Sequence, residues 1–399
     1  MPAQNFAACT AISQSLLEES GRIGPDSFVR GRHSSPWLSG LVVQKPWTDG
    51  MGRTVKNTVY ERTAPSTTPA WSTIATSDGA SVNSCLPPLS VIPFAATTQE
   101  FALSHLAIES VPICLNDIIS SHDPVKAINS MTEQVEQNIN QVKIDRHRDE
   151  YLRLANHKVI VAAGLPEDDA AFPLTDPTSY LTMGVLRRKR RQLNRESSGT
   201  PPIATDAKGK NVYVVIAGGE TIENLVVFDS SIREDVRWSS RADELLGDRD
   251  FQSFGGFVFM EDPFPPRYNG SGANRIRVPE YLADATTLGS KLEINPAYEN
   301  GKYEVTFIFH PDVFISRVPD PQTKYGDISY GYQNYNGDVR WINEYDRNCN
   351  PDKNIGYWRA VLAQASEPVH RQFGYAFLHL KCDPELNLAS CPSGTGYVS

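Results

Sequence analysis

The chain lacks a surplus of positive charge. Its 399 residues carry 38 Lys and Arg against 47 Asp and Glu, a net charge of -9. A protein whose main work is gripping DNA needs the opposite balance. No apolar run approaches the roughly 20 residues of a membrane helix, so no membrane partner is expected. The opening MPAQNFAACTAISQSLLEES has neither the basic n-region nor the apolar h-region of a secretory signal. Folding in a cytoplasm is therefore the expectation. Close cysteine pairs are missing too: Cys9, Cys85, Cys114, Cys349, Cys382 and Cys391 are scattered, with no C-x-x-C and no Cys/His pair at zinc spacing. Free thiols, no disulfide framework and no structural zinc follow.

Catalytic signatures fail one by one. Gly301-Lys302 and Gly209-Lys210 lack the rest of a phosphate loop, and Ala217-Gly218-Gly219 lacks the third glycine of a dinucleotide fingerprint. Ser271 lies in Gly-Ser-Gly without the outer glycine of a nucleophile elbow. In DRNCNPD, Asp346, Asn348, Asn350 and Asp352 alternate as oxygen donors. Pro351 and Tyr357 stand where a calcium loop wants Gly and Glu, so a hydrogen-bonded turn is expected. Glu261-Asp262 is a carboxylate pair of the kind a glycosidase uses, but Pro263 follows and a loop is the default. His310 and His379 read as satisfied sheet histidines. No enzyme, cofactor or metal is expected.

What is present is an uneven layout. With 40% hydrophobic and only 21% charged residues the chain folds, and its length suits two or three domains. Residues 1–100 are rich in Pro, Ser and Thr and read as arm, hairpin and loop. RTVKNTVYER (Arg53 to Arg62) predicts one strand of a two-sided solvated hairpin, returning near Glu100–Ser110. So polar a hairpin is marginal alone and must lie on something else. Asp123-Pro124 is a helix start, and Ile128, Met131, Val135, Ile139 and Val142 recur at helical steps, resuming at Leu152, Ala155 and Val159. The spacing predicts one helix over about 124–160.

Residues 163–210 read as loop-rich, with Arg187, Arg188, Lys189, Arg190 and Arg191 as the dense basic run. That run is a solvated loop or helix end, a nucleic-acid contact or a contact with an acidic neighbour. VYVVIAGG, ENLVVFD, GGFVFM, KYEVTFIFH and GYAFLHLKC predict strands, and EDPFPPRYNGSGANRIRVPEY an irregular connection. The fold class is α+β.

The order of elements resembles the major capsid protein of tailed bacteriophages, with the Hong Kong 97-like fold. The phrases carrying the likeness are LNDIISSHDPVKAINSMTEQV running into IDRHRDEYLRLANHKVIVAAG, which is similar to the spine helix. KYEVTFIFHPDVFISRVPDP and GDVRWINEYDRNCNPDKNIGYWRAVLAQASEPVHRQFGYAFLHLKC are similar to the late sheet strands. The likeness spans most of residues 50–382 and rests on layout plus phrases.

The resemblance implies a division of the chain. Residues 1–50 would be an N-terminal arm, and 51–110 an extended loop whose contacts include Arg53, Lys56, Glu61 and Arg62. Residues 111–210 would be a peripheral domain with the spine helix and a loop-rich insertion. Residues 211–354 would be mainly axial domain, and 355–399 a return to the peripheral domain with a C-terminal tail. It also implies self-assembly through hexamers and pentamers into an icosahedral shell around double-stranded DNA, assembled in the bacterial host cytoplasm. Weak contact with the packaged DNA, separate scaffolding and portal proteins, and cement proteins belong to that picture. Lys56 is the one lysine of the hairpin, with Lys45 just before it, and no partner asparagine for a covalent cross-link is identifiable. The alternatives are an encapsulin-like cellular compartment, a soluble hydrolytic enzyme using paired carboxylates, and another virion component.

Overall fold

The structure is a computed structural model. It describes residues 35–38, 41–47, 54–61, 95–110, 113–114, 124–162, 167–168, 172, 174–195, 200–205, 211–228, 252–254, 256–282, 293–319, 339–345 and 354–381. In chain order the main elements are β1 (Gln44–Trp47), β2 (Thr54–Glu61), β3 (Ala95–Ala102), β4 (Ser104–Glu109), α1 (Pro124–Leu154), β5 (His157–Ile160) and α2 (Met183–Arg195). Then come β6 (Asn211–Ala217), α3 (Gly219–Phe228), β7 (Phe257–Glu261), β8 (Arg267–Asn269), β9 (Ile276–Val278) and β10 (Tyr303–Phe309). The last four are β11 (Phe314–Pro319), β12 (Arg340–Tyr345), β13 (Asn354–Pro368) and β14 (Tyr375–Leu380).

A mixed sheet runs in the order β7-β6-β10-β14-β5, with β7 parallel to β6 and β14 parallel to β5. Every residue of β10 is buried, because helices cover both faces of the sheet. Strand alternation sorts the side chains between two cores. Val214, Ile216, Val305, Phe307, Phe309, Ala376 and Leu378 meet Trp37 and the α1 residues Tyr151 and Leu154 on one side. Tyr213, Val215, Phe257, Phe259, Ile308 and Phe377 meet Leu186 and Leu193 of α2, and Ile222 and Leu225 of α3, on the other.

The second sheet is organised by β13. This fifteen-residue strand pairs with β12 along Asn354–Arg359, with β4 along Arg359–Gln364 and with β11 along Ala365–Pro368, while β1 lies parallel on β11. Trp358 of β13 donates its indole N–H to Thr132 Oγ1 of α1 at 2.9 Å, and Met131 and Val135 pack on its ring. The apolar stripe of α1 therefore reads out along β13 at one end and into the first core at the other.

Several expectations change. The helix ends at Leu154 rather than near 160, because HKVI leaves it as a strand parallel to β14. Its last carbonyls are taken by side chains: Arg371 Nε donates to Leu154 O at 3.0 Å, and Lys158 Nζ donates to Ala155 O. ENLVVF is helical, in α3, where Ile222 and Leu225 stand three residues apart and face one core together. The hairpin returns through β3, Ala95–Ala102, and Ser104–Glu109 turns away to pair with β13. The basic run lies in a 13-residue helix, α2, and not in a loop. EDPFPPRYNGSGANRIRVPEY folds in part into the β8–β9 hairpin, whose turn needs Gly270 at φ 88°.

Candidate assembly surfaces

The β2–β3 ribbon has two unlike faces. Val55 lies opposite Phe101, Asn57 opposite Gln99 and Val59 opposite Thr97 on one of them. Val59 and Phe101 are buried there, and Phe101 meets Trp47 of β1 edge-on at 5.8 Å in a small cluster with Ala365 of β13. On the same face Asn57 Nδ2 donates to Glu367 Oε1 at 2.6 Å. Glu367 is buried and also accepts from Arg317 of β11, whose Nη1 donates to Pro46 O at 3.0 Å. One carboxylate thus ties the ribbon, β1, β11 and β13 together. The opposite face presents Thr54, Lys56, Thr58, Thr98 and Glu100 to solvent. Lys56 and Glu100 form an exposed cross-strand pair at 3.7 Å, worth little by itself.

Of the sequence-predicted loop contacts, Lys56 sits on this outer face and Glu61 ends β2. Arg53 and Arg62 lie outside the described residues, as do the DRNCNPD run and every cysteine but Cys114.

The five basic residues of α2 separate into two groups. Lys189 is buried with its ammonium 4.5 Å from the centre of the Tyr375 ring, whose other face stacks on His157 at 4.3 Å. Arg190 donates to Asn211 O at 2.7 Å and lies against Gly256. These two fix the helix to the sheet. Arg188 and Arg191 are exposed and make no ion pair among the described residues, and Arg187 is half-buried. The segment Met183–Arg195 contains no Asp or Glu.

A charge cluster absent from the sequence reading joins α1 to the segments after β7 and β9. Arg148 is fully buried, yet its Nη2 donates to Asp145 Oδ1 at 2.7 Å and to Glu280 Oε1 at 2.6 Å. Its Nη1 donates to Phe264 O and lies 3.8 Å from Asp262. Asp262 in turn accepts the Trp37 indole N–H at 2.9 Å and the Phe264 amide at 3.1 Å. Burial and the neighbouring Glu280 push the Asp145 carboxyl up to about 7, against the pull of Arg148. No single-sequence signal marks Arg148 as fully enclosed in the charged RHRDE run, where His147 and Glu150 are buried with it.

The candidate catalytic groups are engaged structurally. Asp262 is held as just described, and Glu261 packs against Gly219 at the start of α3. His310 Nδ1 accepts the Asp312 amide at 3.2 Å, and His379 pairs with Thr306 Oγ1 at 2.9 Å. Both imidazoles are pushed toward the neutral form by burial, as expected for satisfied sheet histidines. Among the described residues no cluster of His, Cys, Asp and Glu is arranged to hold a metal, and no helix is long and apolar enough to cross a membrane.

No protein-family model matches the sequence, and no curated protein matches it either. Solved structures do. The capsid of Ralstonia phage GP4 superposes with a TM-score of 0.52 at 10% identity, over 92% of this chain and 96% of that one. The fold is the Hong Kong 97-like capsid fold. Cyanophage Pam1 capsid asymmetric unit is similar over 90% of this chain and 97% of that one, at 11% identity and a TM-score of 0.48. The acid-stable capsid of Helicobacter pylori bacteriophage KHP30 is similar over 90% and 95%, at 8% identity and a TM-score of 0.49.

Proposed function

We propose that this chain is a major capsid protein, which self-assembles through hexamers and pentamers into an icosahedral shell around a phage's double-stranded DNA. The supporting observation is the capsid-fold likeness over 92% of the chain. The two-faced ribbon agrees with it. Its inner face is bound to the body by Asn57, Phe101 and Val59, while its outer face offers a polar strand pair with no hydrophobic reason to be extended unless a neighbouring copy covers it.

In this reading residues 1–50 are the arm and 51–110 the extended loop. Residues 111–210 with 355–399 form the peripheral domain, and 211–354 mainly the axial domain. The outer face of α2, with Arg188 and Arg191, is the contact for packaged DNA, in a chain otherwise too acidic to hold DNA tightly. The particle assembles in the bacterial host cytoplasm with separate scaffolding and portal proteins.

Negative-stain microscopy of the expressed chain, alone and with its neighbouring genes after sedimentation, tests this. Closed shells tens of nanometres across are expected. A stable monomer with a radius of gyration near the ~21 Å of a compact chain this long overturns it. For α2, replacing Arg188 and Arg191 by Gln should lower the salt dependence of duplex binding by roughly two phosphate contacts. An unchanged slope removes DNA from the role of that face.

A further inference from the structure

The junction between α1 and the segment after β9 carries more negative charge than its cations balance. From α1 come Asp145, Arg148 and Asp149, with Gln141 one turn earlier. From the segment after β7 comes Asp262, and from β9 and the residues after it come Arg277, Glu280 and Tyr281. Asp149 is paired with Arg277. That leaves Asp145, Asp262 and Glu280 facing the single guanidinium of Arg148. Asp262 has two further donors, in the Trp37 indole and the Phe264 amide. Asp145 and Glu280 share one nitrogen, Arg148 Nη2, at 2.7 and 2.6 Å, which sets their carboxyl groups side by side.

Two carboxylates held side by side on one nitrogen oppose each other's ionisation, so one of them keeps a proton to higher pH. The donors say which one. Asp145 Oδ1 already accepts from Arg148 and, at 3.0 Å, from Gln141 Nε2, which leaves its second oxygen to bear the hydrogen. Glu280 accepts from Arg148 and is held as the carboxylate. We propose that Asp145 and Glu280 share one proton across this junction, and that the proton is a pH-dependent latch between α1 and the segment that follows β9. Loss of the proton sets two anions against each other beside a guanidinium that is already committed, and loosens the segment.

The sign follows from linkage. Asp145 has its folded value raised to about 7 from 3.8, so the folded chain keeps a proton that the unfolded chain releases. Stability from this pair is full at low pH and is lost as pH rises through about 7. The proposal stands on the chain's own geometry and does not depend on the capsid reading.

The test compares the full chain with Asp145→Asn, whose amide donates to Glu280 and accepts from Arg148 at every pH. Between pH 5 and 8 the wild-type unfolding constant should rise relative to the variant's by on the order of 100-fold. The ratio of the two cancels every other titrating group. Parallel curves overturn the proposal. Infrared difference spectra give a second readout that does not need matched stabilities. A protonated-carboxyl band should be present in wild type at pH 6, titrate near pH 7, and be missing in Asp145→Asn. A wild-type spectrum without that band at pH 6 also overturns the proposal.

Discussion

Asn57 and Glu367 lie 310 positions apart in the chain and 2.6 Å apart in space. Their hydrogen bond is the polar half of the ribbon's attachment, beside the apolar half made by Trp47 and Phe101. Replacing Asn57 by Ala should free the ribbon without unfolding the body, at a cost of about 2 kcal/mol for a bond to a charged acceptor. Hydrogen exchange reads this: β2 and β3 amides should exchange about 30-fold faster while β10 amides stay protected. Glu367→Ala should cost more, since it also leaves the largely buried Arg317 without its carboxylate.

Gly356 of β13 sits beneath the indole of Trp341, and a Cβ there would lie inside that ring. Gly356→Ala should therefore push Trp341 off Trp358, which it now meets at 4.4 Å. A loss of about 1–3 kcal/mol is expected from the overpacking, together with a change in near-ultraviolet circular dichroism. A variant with wild-type dichroism and stability would show that β12 shifts freely on β13.

Trp37 is 1% exposed, packs edge-on against Phe307 and Phe309, and donates to Asp262. Trp37→Phe keeps an aromatic ring but removes the N–H donor from a buried carboxylate. It should lower stability by about 2 kcal/mol, measured by chemical denaturation. Further replacement of Asp262 by Asn should cost less in the Phe background than in wild type, because the two residues act as a pair.

His147 is buried, with Nδ1 3.1 Å from Trp37 O and Nε2 3.3 Å from Ser316 Oγ. Burial, with Lys143 and Arg146 nearby, lowers its value to about 4 from 6.5. The unfolded chain takes up this proton first, so stability present above pH 6.5 is lost as pH falls toward 4. The full effect is about 3 kcal/mol, opposite in sign to that of Asp145. His147→Gln should flatten the acid limb of the stability profile, and an unchanged limb would contradict this assignment.

The parts of the fold legible in the sequence are those set by local pattern. Asp123-Pro124 marked the start of α1, and the apolar runs of β6, β7, β10 and β14 marked the buried sheet. ENLVVFD misled because a short helix with β-branched residues on a sheet has the composition of a strand. Arg148 and Glu367 were illegible for another reason. Each is buried with partners distant in sequence, and a charged side chain looks solvated until the fold encloses it.

The capsid-fold reading itself came from the order of elements, which survives at 10% identity. The basic run shows the limit of such reading. Five adjacent charges looked like one patch, but helical geometry turns Lys189 and Arg190 toward the sheet and leaves Arg188 and Arg191 outside.

The position of β14 has a consequence for biosynthesis. This strand, Tyr375–Leu380, fills the gap between β10 and β5, so both of those strands wait with open hydrogen-bonding edges until the ribosome has passed residue 380. At about 5–20 residues per second, the roughly 70 residues from the end of β10 to the end of β14 take about 4–14 s to make. During that time, the Val305, Phe307 and Phe309 face is exposed on an unfinished sheet, a template for pairing with other nascent chains. The sheet therefore cannot close before β14 is made, and until then its core depends on that edge staying shielded.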